Sequence, residues 1–280
     1  MPYSAQISRT NPACILFLID QSGSMADPIP GSTPQSKASV VADAINRLLQ
    51  NLVLRSAKGD GVRDYFRVGV IGYGKGIQAG LGGKIPFDIL IPISRVGDFP
   101  LRVETRTKMT LDGAGGIIEQ KVKFPVWFEA EASGKTPMCE ALAAAGLAVK
   151  DFTAKYPNAY PPIVLNLTDG VPSDGNPQEN ARVIRSLKTT DGNALLFNLL
   201  ISSKPQILTD FFPSNEVGLS DNCSKLLFRM SSELPPKMFE AAKAEGHDLA
   251  PKARGVVINA DPTAIVRFLD IGTRITPSGR

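Results

Sequence analysis

The feature that most constrains this chain is residues 13–25, Ala-Cys-Ile-Leu-Phe-Leu-Ile-Asp-Gln-Ser-Gly-Ser-Met. An apolar run passes without a break into Asp20, and two hydroxyls follow at alternate positions, Ser22 and Ser24, with Gly23 between them. The run is too short to span a bilayer, which takes about 20 apolar residues. It is too continuous for a strand with one wet face, which would alternate. It reads as a strand buried on both faces, in a parallel sheet covered by helices. Asp20, Ser22 and Ser24 then stand at the end of that strand, where open α/β sheets bind ligands.

The rest of the chain supplies neighbours for such a strand. A Pro/Gly loop, 26–35, is followed by Val40, Val41, Ala44, Ile45, Leu48, Leu49, Leu52 and Val53 at helical spacing. Tyr65 to Tyr73 reads as a second strand, which completes a strand–helix–strand unit. Thr136-Pro137 reads as an N-cap and first helical residue, opening an apolar face from Met138 to Phe152. Ile163 to Thr168 is a further strand ending in Asp169-Gly170. Asn176-Pro177-Gln178-Glu179 reads as a capping box for a helix through Leu187. A strand at 194–201, irregular chain at 202–221, helices over 222–245 broken at Pro235-Pro236, a strand at 254–260 and a helix capped by Asp261-Pro262 complete the order. The expected fold class is α/β, a doubly wound, mainly parallel sheet with helices on both faces.

Residues 74–135 depart from that rhythm. Glycines cluster at 74–83 and 113–116, and the runs 87–93, 101–107 and 117–128 are β-prone, so the spacing predicts a hairpin-like, β-rich elaboration over about 84–128. Its Arg95, Arg102, Arg106, Lys108, Lys121 and Lys123 read as a charged edge-strand surface.

Composition narrows the function. With 43% hydrophobic and 21% charged residues, no repeat and no low-complexity linker, 1–280 reads as one elaborated domain with a core at about 12–270. A net charge of +4, scattered along the chain, is no nucleic-acid footprint. Cys14, Cys139 and Cys223 are odd in number and far apart, which suits reduced thiols in the cytoplasm better than disulfides or zinc. No signal peptide or membrane segment is read from the sequence.

Asp20, Ser22, Ser24, Thr136 and Asp169 are the candidate site. If the strands ending at 20 and 168 are neighbours at the switch point, two carboxylates and three hydroxyls meet in one crevice. An all-oxygen set of that kind suits a hard cation, Mg²⁺ first and Mn²⁺ or Ca²⁺ next. Two carboxylates balance a divalent ion and leave coordination positions open to an outside carboxylate.

Taken together, Asp20-Gln21-Ser22-Gly23-Ser24, Thr136 and Thr168-Asp169-Gly170 resemble the metal-ion-dependent adhesion site of von Willebrand factor type A domains. The resemblance implies a Rossmann-like sheet of about six strands, one short and antiparallel. It implies that Ser22, Ser24 and Thr136 coordinate the ion while Asp20 and Asp169 act directly or through water. It further implies a bacterial, stand-alone intracellular protein that is no enzyme. Its partner would be a protein offering Asp or Glu to the metal, with an AAA+ ATPase, kinase or phosphatase as family context. Here Lys135 stands where the family commonly has a second glycine before the threonine, and the 84–128 segment exceeds the usual connection.

Two enzyme readings compete. Gly134-Lys135-Thr136 looks like the tail of a phosphate-binding loop, but Glu129 replaces its leading glycine. A haloacid-dehalogenase-type phosphohydrolase would use Asp20 with a second carboxylate two residues on, where Ser22 stands. A third reading is a scaffold with a purely structural metal that binds partners through 84–128. His247, the lone histidine, reads as a surface residue, and Trp127 as packing.

Overall fold

The computed structural model describes residues 2–30, 34–82, 88–111, 117–203 and 208–275. β1 (Ala13–Asp20) is buried along its whole length. Its alternate side chains enter two different cores: Ile15, Phe17 and Ile19 on one face of the sheet, Leu16 and Leu18 on the other. Each large apolar side chain so buried stabilises the fold by about 1.5–3 kcal/mol.

After β1 come a 3-10 turn (Gly23–Ala26), α1 (Lys37–Ser56), the ribbon β2 (Ala57–Lys58) and β3 (Gly61–Val62), β4 (Phe66–Tyr73), β5 (Ile77–Ala79), β6 (Ile91–Pro92) and α2 (Ile93–Asp98). The hairpin β7 (Arg102–Leu111) and β8 (Ile117–Val126) precedes α3 (Met138–Lys155), β9 (Ile163–Thr168) and α4 (Gln178–Ser186). The ribbon β10 (Lys188–Thr189) and β11 (Gly192–Asn193), β12 (Leu195–Ile201), β13 (Asp210–Phe211), α5 (Asn222–Met230), α6 (Pro236–Ala244), β14 (Val256–Ala260) and α7 (Pro262–Gly272) follow.

The main sheet runs β13-β14-β12-β9-β1-β4-β5, with β6 also against β4. The central pairings, β14 with β12, β12 with β9, β9 with β1 and β1 with β4, are parallel. β5, β6 and β13 join antiparallel. Val41, Ile45 and Leu49 of α1 share one core with Ile265 and Phe268 of α7. Met138 and Leu142 of α3, Ile184 of α4 and Leu227 of α5 build the other. This is the mainly parallel α/β sheet, helical on both faces, that the apolar run implies.

Three local readings are corrected. The β-prone run 87–93 is a strand only at Ile91–Pro92; Phe87 lies outside the described residues, and Ile93 begins α2. Asp64 Oδ1 accepts from Ser94 N at 3.1 Å, so a residue thirty positions away supplies that helix with a partner for a first-turn N–H. The capping box at 176–179 is half formed: Asn176 Oδ1 accepts from Gln178 N at 3.1 Å, while Glu179 pairs with Arg182. His247 is not a free surface residue. Its ring lies 4.4 Å from that of Phe211 and 5.7 Å from that of Phe212, and Nε2 is buried without a hydrogen-bond partner among the described residues.

The elaboration is a hairpin with a sheet of its own, in register from Arg102↔Val126 to Leu111↔Ile117, rather than an extension of the main sheet. The glycine cluster 113–116 lies outside the described residues. Asn46 of α1 holds the hairpin's exit. Its Oδ1 accepts from Trp127 N at 2.8 Å and Phe128 N at 3.0 Å, and its Nδ2 donates to Phe128 O at 2.8 Å. Arg106 forks onto Asp43 of the same helix and lies over the Phe124 ring. Among the described residues, no helix is long and apolar enough to cross a membrane.

Candidate functional site

β1 and β9 lie side by side, Ile19 opposite Leu167, so Asp20 and Asp169 leave adjacent strand ends at the switch point of the sheet. α1 crosses on one face after β1 and α3 crosses on the other before β9, which opens the crevice between the two connections.

Asp20 is fully buried. Its Oδ1 accepts from Ser22 N at 2.8 Å, and its Oδ2 accepts from Thr168 Oγ1 at 2.6 Å. Burial pushes this carboxyl above the ordinary aspartate value, the hydrogen bonds from Ser22 and Thr168 pull it back in part, and the charge of Asp169 pushes it up again. The Ser22 and Ser24 hydroxyls lie 3.2 Å apart, and Ser24 Oγ donates to Asp169 Oδ1 at 2.8 Å. Four of the five candidate residues therefore form one hydrogen-bonded set.

Thr136 joins through the main chain. Gly23 N donates to Gly134 O at 3.2 Å, Ser133 N to Gln21 O at 2.6 Å, and Lys135 N to Gly74 O at 3.2 Å. These bonds lash the 133–136 loop to the loop after β1. Glycine is required where the strands of chain cross: a Cβ on Gly74 would stand 2.5 Å from Ser133 O and 2.6 Å from Gln21 O. Gly134 also has φ +89°. Thr136 does not cap α3. Pro137 holds the cap position with no side-chain bond, and Asp174 accepts from Cys139 N and Glu140 N at 3.1 and 3.0 Å. Thr136 N donates instead to Ser173 Oγ at 3.0 Å.

The donor set fits a small hard cation. Oxygens at about 2.1 Å around Mg²⁺ stand about 3.0 Å apart along each octahedral edge, and the 3.2 and 2.8 Å separations bracket that spacing. Among the described residues, no three His, Cys, Asp or Glu side chains cluster as a metal group. Hydroxyls make up the balance here, an all-oxygen set of the kind hard cations prefer.

Several contacts at the site escape the sequence reading. Thr168 holds the second oxygen of Asp20, Oδ2, and Cys223 Sγ donates to Gly170 O at 3.3 Å. Burial, then Asp221, Asp169 and Asp20, push that thiol up to about 12. Lys37 Nζ, at the head of α1, donates to Asp169 Oδ2 at 2.9 Å. A lysine at the N-terminal end of a helix, where cations are disfavoured, is the one sequence signal that could have singled it out.

No family model and no curated protein matches the chain. Solved structures do. The von Willebrand factor type A protein of Catenulispora acidiphila superposes with a TM-score of 0.50 at 17% identity, over 94% of this chain and 42% of that one. The pilus adhesin SpaC of Lactobacillus rhamnosus GG gives 0.49 at 12%, over 96% and 31%. Proximal thread matrix protein 1 of the mussel byssus gives 0.49 at 12%, over 94% and 47%. The chain spans less than half the length of each. At such identities the likeness is one of fold: the chain has the α/β architecture of von Willebrand factor type A domains.

Proposed function

We propose that the crevice at the ends of β1 and β9 holds a divalent cation, Mg²⁺ first, and that the loaded site takes an Asp or Glu side chain of a partner protein. The observation that carries this reading is the convergence of Asp20, Ser22, Ser24 and Asp169 from two adjacent strand ends into one hydrogen-bonded set, with the Ser22–Ser24 and Ser24–Asp169 oxygens 3.2 and 2.8 Å apart. Ser22, Ser24 and Thr136 would supply hydroxyl oxygens, with Asp20 and Asp169 as charged ligands directly or through water. A Mg²⁺ held by these residues would supply Lewis acidity for an outside carboxylate. Lys135, exposed beside Thr136, adds positive charge to the rim that an acidic partner would meet.

The module is a binder rather than a catalyst. Both oxygens of Asp20 are engaged in hydrogen bonds, so it is poorly placed as a nucleophile. The histidine is committed to ring stacking. The free thiols of Cys14, Cys139 and Cys223 fit a reducing, cytoplasmic setting.

Calorimetric titration of chelator-stripped protein with Mg²⁺ tests the reading. Binding heat is expected for wild type and none for Asp20→Ala, and at 100 times the dissociation constant the metal should stabilise the fold by about 2.7 kcal/mol. A flat isotherm for the wild type contradicts it.

A further inference from the structure

Lys37 is placed against its own chemistry. It is the first residue of α1, where the helix dipole is positive, and its side chain is 3% exposed. A buried ammonium needs both an opposite charge and a full set of acceptors. It has both. Nζ donates to Asp169 Oδ2 at 2.9 Å, to Ser203 Oγ at 2.9 Å and to Ser24 O at 3.5 Å. The Asp169 side chain is itself only 1% exposed, so this pair is not a solvated surface contact. Its carboxylate is divided: Oδ1 faces the Ser24 hydroxyl and Oδ2 faces the lysine.

We propose that Lys37 is a built-in counter-cation of this site, which steadies Asp169 when no metal is present, opposes metal loading, and makes the loaded site net positive. The proposal rests on the metal reading above and adds a residue to it. The charges decide the matter. Asp20, Asp169 and Lys37 sum to −1, and a divalent cation turns that into +1. Without the lysine the same steps run from −2 to 0. The metal-free site therefore repels an acidic side chain, and the loaded site attracts one with a full charge rather than a dipole. Because the ammonium and the cation would share one buried carboxylate, solvent and salt screen their repulsion weakly.

Mg²⁺ titrations of wild type, Lys37→Met, Lys37→Gln and Lys37→Arg, with melting curves before and after loading, test this. Lys37→Met is expected to bind Mg²⁺ about tenfold tighter or more, to melt lower when stripped, and to gain more on loading. Lys37→Arg, which keeps the charge, stays near wild type. Lys37→Gln, which keeps a hydrogen-bond donor, serves the same purpose should the Met variant fail to fold. Equal or weaker binding by Met and Gln variants overturns the counter-cation while leaving the metal site standing. Binding by the variants alone, with a silent wild type, supports the lysine and overturns wild-type loading. No binding by any of the four overturns both.

Discussion

His247 shows at the scale of one residue how far local sequence can mislead. It stands in a polar stretch, Ala244-Glu245-Gly246-His247-Asp248, yet its ring packs on Phe211 and Phe212, which come from β13 and the residue after it. Burial holds the imidazole below its ordinary value of 6.5; Glu245 pulls it up and Arg267 pushes it down. The unfolded chain therefore takes up a proton before the folded one does. Stability from this group is complete above about pH 6.5 and is lost as the pH falls through the lower folded value. Denaturant melts of wild type and His247→Phe between about pH 7.5 and 5 should show a stability difference that shifts in favour of the variant on acidification. A difference independent of pH contradicts the account. The residues of the candidate site were legible where chemistry coincides with a strand end, as at Asp20 and Asp169. Lys37 was not, because only the fold brings the head of α1 against Asp169.

Among the elements, loops locate the site and glycines let them meet. The 133–136 loop is tied to the loop after β1 and to Gly74 beyond β4 by main-chain bonds alone. A Cβ at Gly74 collides with two backbone oxygens, neither of which can turn aside as a side chain would. Gly74→Ala should leave the sheet intact by circular dichroism and weaken Mg²⁺ binding at least about tenfold, since the crossing chains must separate. Unchanged affinity would show that the crossing does not position the ligands. The long, periodic elements, α1, α3 and the buried strands, were readable because their apolar spacing is a local property. The start of α3 was not: Asp174 caps it from the loop after β9, so Thr136 is released from the role its sequence context implies. α2 escaped for the same reason, with Asp64 as its distant partner.

For the whole molecule, the strand order matters more than any loop. The chain crosses on one face to pair β1 with β4 and on the other to pair β1 with β9, and the crevice between is where two carboxylates stand together at adjacent strand ends. Beneath it, a polar row crosses the sheet: Tyr73 Oη donates to Asn166 Oδ1 at 2.7 Å, Asn166 Nδ2 to Asn198 Oδ1 at 3.0 Å, and Asn198 Nδ2 to Ser231 Oγ at 2.9 Å. Each buried amide is satisfied by the next, which fixes β4, β9, β12 and the end of α5 relative to one another. That row was invisible in sequence, where its asparagines interrupt apolar strands with no partner in view. The most direct measurement is anomalous scattering from crystals of the Mn²⁺-loaded protein. The account predicts a peak about 2.2 Å from the hydroxyls of Ser22 and Ser24 and beside Thr136, Asp20 and Asp169. A peak elsewhere, or none at saturating Mn²⁺, would contradict it.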